Sequence, residues 1–186
     1  IRDSLFRAHF ALIRNPLFTS YGLNTSALFG FINQLLKIKK DENPEYFACA
    51  FDSKGKTFRH EMYEEYKANR PPMPDELQQQ LPHLWEILDA MNIPVLMKDG
   101  VEADDIIGTL AVRAQNEGLN TYIVSGDKDF MQLINENTFL YAPGTKKSPN
   151  PIIYDSKKVE DKWGVPPEKI IDLLGLMGDS SDNVPG

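Results

Sequence analysis

The sequence predicts an α/β fold in which a mainly parallel central sheet is flanked by helices. Two observations carry the prediction: short apolar runs alternate along the chain with segments of helical periodicity, and acidic residues gather where several of these runs end. Alternating strands and helices are typical of a parallel sheet covered on both faces. Because such sheets bind ligands beyond the carboxyl ends of their strands, the fold class also predicts where the chemistry lies.

The predicted elements follow from apolar spacing and from capping or helix-breaking residues. The first predicted helix can be capped by Asn24, Thr25 or Ser26, and the second must stop before Pro71 and Pro72. Helices are predicted at 24–40, 59–68, 75–91, 101–116, 128–133, 155–163 and 167–177. Strands are predicted at 46–51, 93–97, 121–124, 138–141 and 152–154, the last pairing back as a hairpin across a polar loop at 143–151.

Composition limits the class of protein. The 186 residues suffice for one domain, no apolar run is long enough to span a membrane, and the first residues lack the apolar core of a signal peptide. Cys49 is the only cysteine, which excludes a disulfide framework and a cysteine zinc site and fits a reducing cytoplasm. Its apolar surroundings predict a small buried hydrophobe.

The net charge of −7 argues at first sight against a nucleic-acid partner, because a phosphate-binding surface is expected to be basic. Acidic and basic residues are segregated along this chain, however, and a net charge is not a surface potential.

Acidic residues fall at strand ends or helix ends in four clusters. The clusters are Asp52; Glu102, Asp104 and Asp105; Asp127 and Asp129; and Asp179 and Asp182. In one parallel sheet the first three clusters would share an edge, and no comparable set of lysines is interleaved among them. Unpaired carboxylates in one cleft repel each other, and hard divalent cations such as Mg²⁺ or Mn²⁺ would relieve that repulsion. A pair of such ions can activate a water and stabilise the leaving oxygen of a phosphodiester.

Each cluster alone also has a simpler interpretation. Glu102, Asp104 and Asp105 suit the positive end of a helix dipole, and the other acids suit turns and caps. The joint pattern at equivalent strand ends favours the metal site.

A basic segment follows Asp52 directly. Arg59, Tyr63, Tyr66 and Arg70 would form one stripe on a helix, with Lys67 beside Tyr63. Cations that hold phosphates and rings that stack on bases suit a nucleic-acid strand. An amphipathic helix with buried tyrosines and solvated charges is the alternative, and His60 fits an ordinary surface histidine.

The ordered motifs resemble the 5′-nuclease domains of bacterial DNA polymerases I, in the flap-endonuclease superfamily with a PIN-like three-layer fold and a helical arch. The resemblance rests on Arg7–Ala11, Ala50-Phe51-Asp52, Phe58–Glu61, Tyr66–Arg70, Glu102–Asp105, Asp127-Lys128-Asp129 and Gly178–Asn183. It implies a hydrolase acting on 5′ flaps, nicks and RNA primers on DNA, with two or more Mg²⁺ or Mn²⁺ ions and a metal-activated water. It implies metal-binding roles for Asp52, Glu102, Asp104, Asp105, Asp127, Asp129, Asp179 and Asp182. It implies that Lys67 and Arg70 reach the scissile phosphate, and that DNA is contacted by Arg7, Lys54, Lys56, Arg59, Tyr63 and Tyr66.

The resemblance also sets expectations for organisation. We expect one nuclease core over 1–186 with an arch at 53–75, and the family's first metal-binding aspartate would lie before Ile1. The helix–hairpin–helix region and a covalently linked polymerase region would lie beyond Gly186, so this piece could be catalytically impaired. We further expect a monomeric, cytoplasmic, nucleoid-associated bacterial protein that does not contact membranes.

Two other functions remain open at this point. A PIN-type endoribonuclease would share the fold and the acidic pocket, although it would not need the long basic segment 54–70. The second open function is that of a catalytically impaired module that binds branched DNA.

Overall fold

A computed structural model describes residues 2–145 and 148–186 of the chain. Two compact units are present, the first formed by residues 1–52 and 71–97 and the second by residues 53–70 and 98–186. Each unit is therefore built from two separate stretches of the chain. Lys146 and Lys147 of the predicted loop 143–151 lie outside the described residues.

The first unit is mainly helical. Its helices are α1 (Arg2–Ala11), α2 (Ser26–Glu42), α4 (Asp75–Gln78) and α5 (Leu81–Ala90), and its strands are β1 (Cys49–Ala50) and β2 (Val95–Leu96). The strands pair in parallel, with Cys49 opposite Val95 and Ala50 opposite Leu96. The buried core joins residues from all of the helices and from β1, among them Leu5, Phe31, Leu77 and Leu88. The buried side chain of Gln80 accepts hydrogen bonds from the backbone N–H groups of Ala27 and Leu28, both at 3.1 Å, and so caps α2.

Three sequence predictions for this unit need correction. The predicted helix 75–91 is two helices, since the chain breaks at Gln79–Gln80 and restarts with Pro82 in the first turn of α5. The strands 46–51 and 93–97 shrink to two paired residues each. Helix α1 was not predicted, because its short run of mixed residues has no clear apolar period.

The second unit contains a three-stranded sheet of β3 (Thr121–Val124), β4 (Thr138–Ala142) and β5 (Ile152–Tyr154). Strands β3 and β4 are parallel, and β5 pairs antiparallel to β4, as predicted. The helices of this unit are α3 (Phe58–Met62), α6 (Ala103–Asn116), α7 (Ser156–Trp163) and α8 (Ile170–Met177), with 3₁₀ helices at Lys128–Leu133 and Pro167–Lys169. Its core gathers Ala111, Ile123, Met131, Leu140 and Val159 between the sheet and the helices.

The predicted basic helix 59–68 is wrong in this structure. Helix α3 ends at Met62, Tyr63 is extended with φ −144° and ψ 106°, and Lys67 is left-handed with φ +56°. The stripe of Arg59, Tyr63, Tyr66 and Arg70 therefore does not form. The physical reason is a tertiary contact, since the backbone N–H of Lys67 donates to the carbonyl of Asp182 at 3.0 Å instead of closing a helical turn.

The single predicted sheet is also divided. Among the described residues, the strands form a two-stranded and a three-stranded sheet, with two of the three strand pairings parallel. Asp52 follows β1 in the first unit, whereas all the other predicted metal-binding acids belong to the second unit. Across residues 2–145 and 148–186, no helix is both long and apolar enough to cross a membrane.

Candidate active site

Glu102 is a buried carboxylate of the second unit that accepts hydrogen bonds from two side chains. It is the N-cap residue of α6 and only 9% exposed. Lys67 Nζ donates to its Oε1 at 2.7 Å, and the Tyr66 hydroxyl donates to its Oε2 at 3.0 Å. Arg59 Nη1 lies 3.7 Å from the same Oε2. A buried carboxylate needs such partners, since burying an unpaired charge is strongly unfavourable.

Asp105 is held by a bidentate ion pair with Arg59. Both guanidinium nitrogens, Nη1 and Nη2, lie 2.8 Å from a carboxylate oxygen of Asp105. Asp105 also accepts the backbone N–H of Glu102 at 2.8 Å and thereby helps to close the N-terminus of α6. The hydrogen bonds from Arg59 lower the pKa of Asp105, and the same hydrogen bonds raise the pKa of Arg59. The simpler interpretation of this acid as a helix-terminal charge is thus correct as far as it goes, but it omits the arginine.

Tyr66 belongs to the interior of this cluster. Its side chain is 8% exposed, its ring packs edge-on against His60, and its burial, followed by the charge of Glu102, raises its pKa. His60 Nδ1 accepts the backbone N–H of Thr57 at 3.2 Å, so this histidine closes the start of α3. Tyr66 is therefore placed to hold Glu102, and in this conformation its ring is not exposed for stacking on a base.

Asp182 lies beside two cations of the basic segment, Lys67 and Arg70. Arg70 Nη2 donates a hydrogen bond to Asp182 Oδ1, and Lys67 Nζ lies 3.8 Å from Asp182 Oδ2. Arg70 Nε also donates to the carbonyl of Ser181 at 3.2 Å. No comparable set of lysines is interleaved with the acids in the sequence, but the fold pairs three of the acids, because Arg59, Lys67 and Arg70 reach Glu102, Asp105 and Asp182 from a distant part of the chain.

A second acidic group forms at Asp127, Asp129 and Asp179. The Asp129 N–H donates to Asp127 Oδ1 at 3.0 Å, and Lys128 Nζ lies 4.0 Å from Asp179 Oδ2. Burial raises the pKa of Asp129 to about 6, and the charges of Asp127 and Asp179 add to the rise. These carboxylates are thus close enough to repel one another, and one lysine offsets the repulsion only in part.

The remaining predicted residues differ in exposure and in their place in the chain. Asp104 is exposed in the first turn of α6, and Lys54 and Lys56 are exposed before α3. Asp52 is exposed and Arg7 is partly buried in α1, both in the first unit. Tyr63 is partly buried and donates from its hydroxyl to the carbonyl of Asn183 at 3.2 Å.

Both the sequence and the fold of this chain match those of known proteins. The family model described as 5′-3′ exonuclease, N-terminal resolvase-like domain, matches residues 2–164. The chain belongs to this family. The resemblance inferred from the ordered motifs is thereby confirmed.

Relatives of this 5′-3′ exonuclease family domain include much longer proteins. The DNA polymerase I of Caldicellulosiruptor bescii is 45% identical over 183 residues, which are 98% of this chain and 21% of that protein. The 5′-3′ exonuclease of Aquifex aeolicus is 42% identical over 182 residues, 98% of this chain and 61% of that protein. The chain therefore spans between about a fifth and three fifths of these two relatives.

A solved structure supports the fold of the family domain. The T5 D15 protein co-crystallised with metal ions superposes with a TM-score of 0.74 at 21% identity, covering 100% of this chain and 67% of that one. A second T5 structure, of the D15 flap endonuclease D155K in a pseudo-enzyme-product complex with DNA and metal ions, gives 0.68 at 22% identity, covering 85% and 60%. The α/β, PIN-like fold class predicted from the sequence is confirmed.

The site of this family member contains residues that the sequence analysis did not assign. Asn183 and Asn69 link the basic segment to the loop of Asp179 and Asp182, with Asn69 Nδ2 donating to Asn183 Oδ1 at 2.9 Å. Both asparagines stand inside motifs used for the resemblance, but only the folded chain brings them together. Within residues 2–145 and 148–186, no three His, Cys, Asp or Glu side chains are grouped so as to hold a metal ion.

Proposed function

We propose that this chain is the catalytic part of a structure-specific 5′-nuclease that hydrolyses phosphodiesters of DNA. The observation that carries the proposal is the meeting of Lys67 and Arg70 with Glu102 and Asp182. Metal-assisted phosphodiester cleavage uses cations to bind the phosphate and acids to bind divalent ions, and here both sets of side chains are in direct contact. Family membership and relatives named 5′-3′ exonuclease and DNA polymerase I support this assignment.

The donor set fits hard divalent cations by its chemistry. The candidate ligands are all carboxylates, which Mg²⁺ and Mn²⁺ prefer. Burial raises the pKa of Asp129, and the charges of Asp127 and Asp179 raise it further, a repulsion that a cation would relieve. We propose Glu102, Asp104, Asp105, Asp127, Asp129, Asp179 and Asp182 as the ligands in the second unit, with Asp52 as a further ligand. Two or more bound ions would supply an activated water and neutralise charge on the phosphate.

In this proposal, Lys67 and Arg70 exchange partners when substrate binds. In the free protein they neutralise Glu102 and Asp182, which are acids assigned to the metal ions. A phosphate offers these cations an alternative anion, and their transfer to it would free the carboxylates. Arg59 and Tyr66 would meanwhile keep Asp105 and Glu102 in place through their own hydrogen bonds. We propose that residues 53–75 act as the predicted arch over the DNA strand.

The substrates we propose are 5′ flaps, nicks and RNA primers paired to DNA, contacted by Arg7, Lys54, Lys56, Arg59 and Tyr63, and by Tyr66 only after it leaves its buried position. A T5 relative of the fold is described as a flap endonuclease in complex with DNA and metal ions. This chain matches 21% of the polymerase I relative, and we propose that it is covalently linked to a polymerase region in a bacterial cell and associated with the nucleoid. We propose that the protein acts as a monomer.

The test is cleavage of a labelled 5′-flap DNA with Mg²⁺ or Mn²⁺, with and without EDTA. Asp127→Asn and Lys67→Ala are expected to lose most of the rate, whereas Asp161→Asn, at an exposed aspartate of α7, is a matched control that keeps it. Cleavage that survives Asp127→Asn would contradict the proposed metal site. Faster cleavage of unstructured RNA than of the flap would favour a PIN-type ribonuclease, and binding without cleavage would favour a DNA-binding module.

A further inference from the structure

Several hydrogen bonds join residues 63–70 of the basic segment to the loop that follows α8. The loop is closed by the backbone pairing of Asp179 and Val184, with N–H to carbonyl distances of 2.9 and 2.8 Å in the two directions. Ser181 N–H donates to Asp179 Oδ1 at 2.8 Å and tightens the same turn. The loop is therefore held in shape by its own hydrogen bonds, and residues 63–70 of the basic segment lie against it.

Asn183 makes three of the hydrogen bonds between the two. Its Nδ2 donates to the carbonyl of Glu65 at 3.0 Å, while its Oδ1 accepts from Asn69 Nδ2 at 2.9 Å. Its own carbonyl accepts the hydroxyl of Tyr63 at 3.2 Å. One asparagine thus contacts the segment on both sides of Lys67.

The backbone of both partners is held in an uncommon conformation. Asn183 has φ +60° and Lys67 has φ +56°, in the left-handed region that lysine rarely adopts. Asparagine tolerates this region well, but lysine needs support, and here the Lys67 N–H is bound by the carbonyl of Asp182 at 3.0 Å. The conformation of Lys67 therefore depends on the loop that carries Asn183.

From these contacts we infer that Asn183 is a positioning residue, which sets Lys67 and Arg70 in place for the scissile phosphate. This inference rests on the proposed nuclease function. Asn183 contacts no reacting group in this arrangement; it acts through the segment that carries the two cations. Its amide is suited to the task because it offers one donor and one acceptor to opposite ends of the segment.

The test compares Asn183→Gly with the matched control Asn43→Gly. Glycine keeps the left-handed backbone at both positions and removes only the side chain, and Asn43 is an exposed left-handed residue that ends α2 in the first unit. Flap cleavage is measured under single-turnover conditions with saturating metal. Because small misplacements of a catalytic group can lower rates by on the order of 10²-fold, we expect Asn183→Gly to lower the rate by about 10- to 100-fold and Asn43→Gly to leave it unchanged.

A mutant cycle separates positioning from a general structural role. If Asn183 acts through Lys67 and Arg70, Asn183→Gly should lower the rate much less in a background that carries both Lys67→Ala and Arg70→Ala than in the wild type. Equal losses in both backgrounds would overturn the inference. Hydrogen exchange gives a second readout that needs no activity: Asn183→Gly should expose the Lys67 amide while leaving β3 and β4 protected, and unchanged protection would also overturn it.

The outcomes distinguish this inference from the proposed function. If the wild type cuts flap DNA and Lys67→Ala does not, but Asn183→Gly is as fast as the wild type, the positioning role fails while the nuclease assignment stands. If the wild type cuts no DNA with metal present, the proposed function fails first and the catalytic role of Asn183 fails with it.

Discussion

Lys67 Nζ lies 2.7 Å from Glu102 Oε1, and both side chains are largely shielded from solvent. The same ammonium lies 3.8 Å from Asp182 Oδ2, so a single lysine connects acids from two parts of the second unit. Since both acids are proposed metal ligands, the lysine and a divalent cation compete for the same oxygens. This competition leads to the first prediction.

Lys67→Met should increase the affinity of the DNA-free protein for Mn²⁺. Methionine keeps much of the packing of the lysine stem but frees Glu102 and Asp182 from a positive charge. An ion pair that is not fully buried is worth up to about 1 kcal/mol, so the dissociation constant should fall several-fold. Isothermal titration calorimetry with Mn²⁺ measures it, and Lys54→Met, at an exposed lysine, provides the control. A lower affinity for Lys67→Met would contradict the competition.

Arg59→Gln should destabilise the protein and reduce its sensitivity to acid. The guanidinium makes two hydrogen bonds to Asp105 and lowers its pKa, and a hydrogen bond to a charged group is worth about 1.5–3 kcal/mol. A carboxyl whose folded pKa is lowered contributes stability that is present above its unfolded pKa and is lost as the pH falls through the folded one.

Urea unfolding at pH 7 and pH 3 tests this prediction. The wild type should lose stability between the two, and Arg59→Gln should lose less, because part of the effect is already gone. Lys37→Gln is the control, since Lys37 pairs with Asp41 on an exposed face of α2 where an ion pair contributes little. An equal pH dependence in wild type and Arg59→Gln would refute the role of the pair.

The thiol of Cys49 should resist modification in the folded protein. Cys49 is buried in β1, as its apolar surroundings predicted, and burial raises its pKa to about 11. At pH 8 the reactive thiolate is therefore scarce and shielded. Because the folded pKa lies above the ordinary value of 9.0, this group lowers stability as the pH rises from about 9 towards 11.

The measurement is the rate of reaction with Ellman's reagent at pH 8, with and without urea. We expect slow labelling that accelerates at the unfolding transition. Rapid stoichiometric labelling in the absence of urea would contradict the burial.

Gly30→Ala should weaken the packing of α1 against α2. A Cβ on Gly30 would lie 2.8 Å from Ala8 Cβ, closer than such atoms approach, and overpacking of this kind costs about 1–3 kcal/mol. Gly108→Ala in α6 is the matched control, since its Cβ would meet Leu133 at an ordinary 3.6 Å. That change should be neutral or stabilise the protein by up to about 1 kcal/mol. Thermal unfolding of both variants checks the difference, and equal melting temperatures would contradict the close contact.

The sequence predicted local elements well where apolar spacing and caps agree. Strand β3 and the 3₁₀ helix Lys128–Leu133 have the predicted bounds, and the hairpin of β4 and β5 forms as expected. It failed at 63–70, where helical spacing is overridden by contacts with residues more than a hundred positions away. No local pattern shows such contacts, and left-handed Lys67 runs against the preference of its residue type.

The sequence indicated which acids are candidates for the site but not how their charges are balanced. Glu102, Asp127 and Asp182 are candidates because they follow predicted strands or helices, where α/β sheets bind ligands, and their metal-binding role stays a prediction. The sequence did not reveal that Arg59, Lys67 and Arg70 would neutralise three of the acids, since charge balance in the fold depends on tertiary pairing. For the same reason Tyr66 looked like a stacking ring, although its hydroxyl serves a buried carboxylate.

The divided connectivity of the second unit has a consequence for how the protein is made. Residues 53–70 leave the ribosome well before the 98–186 stretch that completes their unit, and Asp182 stands 112 positions after Arg70. Contacts this distant close late, because a long loop must be ordered before any of them forms. During synthesis, Arg70 therefore remains solvated until the loop that carries Asp182 has emerged.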